Sequence, residues 1–386
     1  GLRLSPAFQA DLDKNLRRVR AGLGSGLELR LPGGVHVNAP VEEGFAEGSV
    51  WTLEGTVAEP VLAHMGGSRW PAELFTCEDF YSRTTASGIP MGAVGTLQGT
   101  YLGVYLGPVC HHWTRQTGGP CRFCAVGLNV KDAPAPVISP EDLREALLLA
   151  RKLYGVTLVH INTGHMEDMS FLDMIEPYVR AAASEGFLVG VQCPPHPDRA
   201  HYKKLAAMGV QNASFCFEFW SEEAFKSLCP GKASVYGHDG YFSAIQDCLN
   251  LFHTVNGEIV AGPEPIEATL EAIDHLTEWG AIPTVCVFRP LRGTAMADAP
   301  VPKFADMARI YAHLYQRATE HGLPIGCAPN VKVSIVPLPE EGRAFVQNPS
   351  AWPLRRAQRA VKRTAFKWAY ELGLHRVRQP KDGAPA

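Results

Sequence analysis

Long apolar runs are missing from this sequence: no stretch of about 18 residues is free of charge and apolar enough to span a membrane. A strong charge of either sign is missing too, because 36 basic and 39 acidic residues leave a formal net charge of −3. Such a balance gives no whole-protein reason to expect a nucleic-acid partner. The first twenty residues also lack the apolar core of a signal peptide, so we expect a cytoplasmic protein.

Disulfide bonds are not expected among the ten cysteines, because thiols stay reduced in that compartment. Most of these cysteines are scattered singly and are predicted to be small buried apolar residues. Cys110, Cys121 and Cys124 differ, since they form a C-x10-C-x2-C group. The sequence has no second group of this kind and no D-x-H-x-x-G cobalamin motif. Auxiliary-cluster and cobalamin chemistry are therefore not expected.

The middle of the chain, residues 100–323, alternates strand-like and helix-like segments. Runs rich in β-branched and aromatic residues predict six strands, at 100–110, 156–164, 187–195, 210–220, 257–262 and 282–290. This rhythm predicts an α/β fold with parallel strands and right-handed crossovers, a partial (β/α)6 TIM-like barrel. Several strands are nearly continuously apolar, which predicts that both faces of the sheet are packed.

Two flanking regions have a different texture. Residues 1–99 contain short apolar runs broken by Gly and Pro, which predict a β-rich N-terminal lobe. Residues 324–386 form a C-terminal extension, in which 351–386 carry nine Lys or Arg against two acidic residues and apolar residues at helical spacing. We expect a basic amphipathic helix docked on the more acidic body. Contact with phosphate, nucleic acid or a membrane surface is the alternative.

The cysteine group predicts a metal centre. Three thiolates from one loop suit an iron–sulfur cluster, and three protein ligands leave one iron of a [4Fe–4S] cubane open for chemistry. A structural zinc site that recruits His111 or His112 is the main alternative, and three ordinary cysteines are another. Spacing alone leaves these alternatives open.

The context of the cysteines carries a resemblance. The triad follows the first strand of a βα repeat, and Phe123 directly precedes its last cysteine. This arrangement resembles the radical S-adenosylmethionine superfamily, in its biotin-synthase-like branch, over roughly residues 100–323. The segment 288–294, at the end of the sixth predicted strand, resembles the corresponding segment of a biotin-synthase-like subgroup that is encoded near nitrilase-type clusters. The ten-residue gap departs from the usual C-x3-C-x2-C spacing of the superfamily.

The resemblance implies site residues at the strand ends. The loop 162–168 would meet the methionine amino group, Glu218 the ribose, Lys232 the carboxylate, and 257–265 the adenine. The implied cofactor-binding residues are Thr163, Gly164, Glu218, Lys232, Val260, Gly262 and Phe123. The implied cluster ligands are Cys110, Cys121 and Cys124, and the substrate-side candidates are Cys193, His165 and Arg289. For Lys232 an exposed side chain, and for Arg289 an ion pair with Glu218, are the structural alternatives.

The resemblance also implies an activity. A single [4Fe–4S] cluster would reductively cleave S-adenosylmethionine to a 5′-deoxyadenosyl radical, which abstracts hydrogen from a small or medium organic substrate. The partners would be that substrate and a reductant such as flavodoxin or ferredoxin, without nucleic acid or a membrane span. Non-radical use of S-adenosylmethionine at the same cluster, and a zinc- or cluster-stabilised RNA-binding module, are the rival interpretations.

Overall fold

The computed structural model describes residues 1–15, 20–21, 24–114, 118–129, 137–167 and 171–375. Of the predicted site region 162–168, Asp168 lies outside the described residues, as does the last stretch of the C-terminal extension, 376–386. No helix of the described part is both long enough and apolar enough to cross a bilayer.

The N-terminal part consists mainly of short strands, as predicted. They are β1 Arg3–Leu4, β2 Arg20–Ala21, β3 Gly24–Ser25, β4 Leu27–Leu31, β5 Val35–Ala39, β6 Trp51–Gly55, β7 Pro60–His64, β8 Arg69–Pro71 and β9 Glu73–Leu74. They form small sheets of order β1-β6-β7-β8, β5-β4-β9 and β2-β3. Helix α1, Pro6–Asn15, buries Phe8 and Leu12 against this region. Apolar burial of this kind gives the region a core of its own.

The segment 78–97 connects this part to the main sheet. Its elements are α2 Glu78–Tyr81, α3 Met91–Val94 and β10 Thr96–Leu97. Phe80 and Met91 are buried in the large hydrophobic core of the main sheet. The division of the chain at residue 99 stays a prediction.

The main sheet has the predicted topology. Its strands are β10, β11 Leu102–Tyr105, β12 Leu158–Asn162, β13 Leu188–Gln192, β14 Asn212–Glu218, β15 Thr254–Ala261 and β16 Ile282–Val287, in that order. β11 to β16 are parallel, and β10 adds an antiparallel edge strand. The predicted partial TIM-like barrel is thereby confirmed.

Helices connect the parallel strands and continue beyond them. They are α4 Val126–Asn129, α5 Pro140–Tyr154, α6 Phe171–Ser184, α7 Arg199–Met208, α8 Glu222–Leu228, α9 Pro230–Val235, α10 Gly237–Cys248, α11 Ile266–Trp279, α12 Phe304–Glu320 and α13 Pro353–Glu371. Short 3-10 turns lie at Gly44–Ala46 and Pro339–Phe345. At the start of α5, Ser139 accepts from the Asp142 amide at 3.1 Å, and the Asp142 carboxylate accepts from the Ser139 amide at 2.7 Å. This reciprocal cap is why the Ser-Pro-Glu-Asp segment begins a helix.

The inner face of the half-barrel corrects one sequence expectation. Side chains of alternate strand residues point inward and line a cavity of about 1380 Å³. Several of them are polar, among them Asn162, Gln192, Ser214, Asn256 and Glu258. The prediction that packed apolar side chains fill this face is therefore wrong, because only the helix-covered face needs to be apolar throughout.

Candidate functional site

The cysteine loop lies where β11 ends. The Cys110 carbonyl accepts hydrogen bonds from the amides of Trp113 at 2.9 Å and Thr114 at 3.2 Å, which turns the chain back after the strand. The Cys124 amide donates to the Cys121 carbonyl at 3.1 Å, and the Val126 amide donates to the Cys124 sulfur at 3.4 Å. Cys110, Cys121 and Cys124 all line the cavity.

Burial and hydrogen bonding set the thiols apart. Burial raises the pKa of the Cys124 thiol to about 12, and the charge of Cys121 adds to this. Cys121 differs, because the Cys229 thiol donates to its sulfur and lowers the pKa of Cys121; the Lys232 charge acts in the same direction against burial. Cys121 is thus the cysteine best prepared to act as a thiolate, the form that binds iron.

The zinc alternative needs several ligands around one ion. Among the described residues, no three His, Cys, Asp or Glu side chains stand close enough together to hold a single metal ion. A cubane takes each thiolate on a different iron, so its ligands stand farther apart than those of one zinc.

The end of β12 contacts this loop directly. The His111 amide donates to the His165 carbonyl at 2.9 Å, and a Cβ placed on Gly164 would lie 2.6 Å from the Cys110 Cβ. Thr163 is buried in the cavity wall, and its hydroxyl has no hydrogen-bond partner among the described residues. A buried hydroxyl without a partner indicates a place for a ligand.

His165 lies beside the same loop. Its ring stacks on His112 with centroids 4.0 Å apart, and its Nδ1 is 2.5 Å from the Tyr236 hydroxyl. Burial, followed by the charges of His112 and His111, lowers the pKa of His165 to about 4. His165 is therefore neutral near pH 7 and can serve as a hydrogen-bonding group beside the cavity.

Glu218 and Lys232 form a pair in the cavity wall. The Lys232 ammonium is 2.5 Å from Glu218 Oε1 and donates to the Cys216 carbonyl at 2.7 Å. The side chain of Lys232 is only 17% exposed and that of Glu218 only 13%. The alternative that Lys232 is an exposed surface lysine is therefore wrong. Burial is the largest influence and lowers the pKa of Lys232, but the charges of Glu218, Tyr241, Cys121 and Cys216 together outweigh it, so the pKa is raised. Lys232 is thus a fixed cation.

The backbone at Glu218 is strained. Its φ of 70° lies in the left-handed region, at the point where the pairing of β14 with β15 shifts register between Cys216 and Glu218. A non-glycine residue in this region costs free energy and is found preferentially at functional sites. The bulge turns Glu218 into the cavity, where Lys232 lies.

The remaining predicted residues divide into two groups. Val260 and Phe123 line the cavity, and Phe123 packs edge-on against Phe219 with centroids 5.5 Å apart. Gly262 is not among the described lining residues. A Cβ on Gly262 would lie 2.5 Å from Pro302 Cγ, and its φ is +126°, so local packing and backbone conformation both require glycine there.

Cys193 and Arg289 also line the cavity. Burial raises the pKa of the Cys193 thiol to about 12, which keeps it protonated. Arg289 donates to the side chain and carbonyl of Asn38, at 2.9 and 3.1 Å, and to the Ile335 carbonyl. These bonds hold the N-terminal strand β5 against the half-barrel. The alternative that Arg289 pairs with Glu218 is wrong, because Lys232 occupies that place.

Two residues were missed by the sequence reasoning. Glu258 accepts from Gln192 at 2.5 Å and from Cys216 at 3.2 Å inside the half-barrel, and it also bonds to Ser214. Polar residues at every second position of 254–258 could have revealed it, since alternation places them on one face. Cys229 was taken for an isolated buried cysteine. No sequence signal links it to Cys121, because α8 brings the two together only in the fold.

Comparisons with known proteins found partial similarities. The chain is 26% identical over 211 residues to bacteriochlorophyllide c C-7(1)-hydroxylase of Chlorobaculum limnaeum, which is 48% of this chain and 52% of that protein. The chain therefore spans about half the length of this curated relative. No protein-family model matches.

Solved structures also match part of the chain at low sequence identity. Coproporphyrinogen III oxidase (HemN) of Escherichia coli, a radical SAM enzyme, aligns with a TM-score of 0.39 at 15% identity over 60% of this chain and 55% of that chain. Methylornithine synthase (PylB) aligns with a TM-score of 0.43 at 15% identity, over 62% and 72%. The maturase HydG aligns with a TM-score of 0.46 at 15% identity, over 57% and 51%. The chain shares only partial similarity with these proteins.

The cofactors of radical S-adenosylmethionine enzymes are a [4Fe–4S] cluster and S-adenosylmethionine. The cavity fits both, because the three thiols lie in its wall next to the unpartnered Thr163 hydroxyl and the fixed cation of Lys232. A ligand with a carboxylate and donor groups would satisfy the cation and the hydroxyl together.

Replacing Gly164 by Ala tests the contact between β12 and the cysteine loop. The new methyl group would lie 2.7 Å from both the Cys110 Cα and the Tyr105 hydroxyl, so Cys110 must move. We expect S-adenosylmethionine affinity to fall at least about tenfold, measured by equilibrium dialysis on the reconstituted protein. Gly44→Ala is the matched control, since a Cβ there meets nothing within 4 Å. Equal affinities of the two variants would contradict the account.

Proposed function

We propose that this protein is a radical S-adenosylmethionine enzyme that acts on a small or medium organic substrate. In this proposal Cys110, Cys121 and Cys124 hold a single [4Fe–4S] cluster. When bound and reduced, the cluster would supply one electron to the sulfonium of S-adenosylmethionine, breaking its S–C5′ bond to give methionine and a 5′-deoxyadenosyl radical that would take a hydrogen atom from the substrate. The observation that carries the proposal is the convergence of the three thiols, Thr163 and Lys232 on one cavity.

The residues of the chain have distinct roles in this proposal. Lys232 attracts the carboxylate of S-adenosylmethionine, and Glu218 keeps that cation in place while it accepts from the ribose hydroxyls. The Thr163 hydroxyl and the backbone at Gly164 meet the methionine amino group, and Val260 and Phe123 pack along the adenine. Helices and the closed outer face of the sheet exclude water from the reacting atoms.

The substrate is proposed to lie deeper in the cavity, next to Glu258. The cavity volume of about 1380 Å³ exceeds the ~300–1000 Å³ of ordinary small-ligand sites, which leaves room for S-adenosylmethionine and a second molecule. Asn162 donates to Gln192, and Gln192 donates to Glu258, so a connected polar row crosses an otherwise largely apolar wall. We propose that this row orients a polar group of the substrate toward the radical. The reductant would be a cytoplasmic one-electron donor such as flavodoxin or ferredoxin.

Electron paramagnetic resonance tests the open iron. We expect the spectrum of the reduced, anaerobically reconstituted protein to change when S-adenosylmethionine is added, since its amino and carboxylate groups would occupy that iron. An unchanged spectrum from a full cluster would contradict the proposal and indicate a fourth protein ligand. A changed spectrum without 5′-deoxyadenosine formation would favour non-radical use of S-adenosylmethionine.

Glu258→Gln gives a pH-dependent prediction about the substrate row. Burial raises the pKa of Glu258, although the hydrogen bonds from Ser214 and Cys216 lower it. The folded state therefore binds a proton that the unfolded state releases above pH ~4.3, so Glu258 costs increasing stability as the pH rises toward its folded pKa. We expect the Glu258→Gln protein to gain free energy of unfolding relative to wild type over that window, measured by urea denaturation. A difference that does not change with pH would contradict the prediction.

A further inference from the structure

The C-terminal helix α13 has no buried residue. Three large apolar side chains of α13 and that of its C-cap residue are instead exposed: Leu354 is 78%, Val361 69%, Trp368 64% and the C-cap Leu372 71% accessible. Their spacing of seven, seven and four residues places them on one face of the helix. This face, Leu354, Val361, Trp368 and Leu372, is called the outer stripe.

The basic side of α13 contacts the body. Arg359 donates to the Thr319 hydroxyl at 3.0 Å and its guanidinium lies 5.2 Å from the Tyr315 ring centroid. Lys362 donates to the Gly322 carbonyl at 3.1 Å and Arg363 to the Gly326 carbonyl at 2.9 Å. These contacts hold α13 against the body, but its apolar face points away from the body. That is the reverse of an ordinary surface helix.

The charges around the outer stripe indicate what covers it. α13 has six Lys or Arg against one acidic residue, Glu371. At 100° per residue, Thr364 and Glu371 border one side of the stripe and Arg355 and Lys362 the other, with Arg356 and Lys367 farther round the helix. A second copy of the same helix would bring these like charges together, whereas an anionic lipid surface would attract them and accept the apolar side chains.

We propose that α13 seats the protein on an anionic membrane surface. Trp368 and its apolar neighbours would enter the lipid boundary, while Arg355 and the other basic side chains of α13 that form no hydrogen bond with the described part of the body reach the lipid phosphates. The helix would lie on the surface, since no helix of the described residues can cross a bilayer. The proposal stands apart from the proposed function, because membrane binding needs neither cluster nor substrate.

The position of α13 beside the large cavity would connect membrane binding to substrate entry. Lys362, Ala365, Phe366 and Ala369 of α13 line the cavity. Phe366 packs near His253, which directly precedes β15, so α13 lies at the amino ends of the strands, opposite the cysteine loop. A helix seated on lipid would bring this end of the cavity to the membrane, where an apolar substrate partitions.

Vesicle co-sedimentation tests the proposal. We expect the full chain to bind vesicles of equimolar phosphatidylcholine and phosphatidylglycerol, to bind pure phosphatidylcholine at least about tenfold more weakly, and to be released by high salt. The double variant Val361→Glu, Trp368→Glu should lose at least about tenfold in partitioning. The matched control Met65→Glu, Val50→Glu adds the same charge at exposed apolar side chains far along the chain and should bind like wild type.

Three results would overturn the proposal. One is absence of binding to anionic vesicles, and another is equal binding by the outer-stripe variant. The third is a dimer of the wild-type protein, detected by sedimentation velocity, that is absent in the outer-stripe variant while the wild type does not bind vesicles. This result would assign the outer stripe to contact with a second copy of the chain. Unchanged circular dichroism of both double variants is expected, because the outer stripe makes no core contact.

Discussion

Cys121→Ala is expected to abolish both the bound cluster and the release of 5′-deoxyadenosine. Anaerobically reconstituted wild type should contain about four irons per chain, and the variant close to none. The effect is large because Cys121 is the thiol whose pKa is lowered by its neighbour Cys229 and by Lys232. Cys110→Ala and Cys124→Ala should behave alike, since a cubane with two protein ligands is not retained. Iron and sulfide analysis with visible absorption measures this.

Cys327→Ala is the matched control for these variants. Cys327 is as buried as a core residue but lies in the C-terminal region, in contact with the Ile325 carbonyl. It should keep the full iron content. Retention of a full cluster by Cys110→Ala would show that Cys110 is not a cluster ligand. Cys229→Ala should retain the cluster but assemble it more slowly.

The second large effect is expected at the buried pair of Glu218 and Lys232. Lys232→Met leaves the Glu218 carboxylate buried without its cation, and removing one partner of such a pair costs ~3–5 kcal/mol. We expect the free energy of unfolding to fall by that amount and S-adenosylmethionine binding to be lost. Guanidinium denaturation and equilibrium dialysis measure the two effects.

The same substitution at an exposed pair provides the comparison. Lys226 lies 2.9 Å from Glu222, but both side chains are more than half exposed, so Lys226→Met should cost at most about 1 kcal/mol. The double variant Glu218→Gln, Lys232→Met should recover part of the stability without recovering S-adenosylmethionine binding. Recovery of binding in the double variant would contradict the role of Lys232 as the carboxylate partner.

The alternation of strands and helices could be predicted from the sequence because each element has its own periodicity. The Ser139 cap, the six parallel strands and the position of Glu218 at a strand end all follow from local patterns. Glu218 has a buried partner in the structure, and that partner is Lys232. Local patterns do not specify which distant residue fills that place, so Lys232 could not be chosen over Arg289 with certainty.

Other features depend on packing that no local pattern records. In β14 and β15, polar residues of the inward face alternate with apolar residues of the outward face. Ser214, Asn256 and Glu258 line the cavity, whereas Phe215 and Ile259 do not, so the strands resemble wholly apolar strands unless the two faces are considered separately. The contact of Cys229 with Cys121 joins residues more than a hundred positions apart in sequence. The outward direction of the apolar side of α13 was also missed, because a helical pattern fixes which residues share a face but not which way that face points.

Reductive release of 5′-deoxyadenosine tests the central claim most directly. The protein is reconstituted anaerobically with iron and sulfide, reduced with dithionite, mixed with S-adenosylmethionine and analysed by liquid chromatography. The account predicts a brown protein that releases 5′-deoxyadenosine and methionine in equal amounts, and no release from Cys121→Ala. A colourless protein that binds one tightly held zinc and leaves S-adenosylmethionine intact would contradict it.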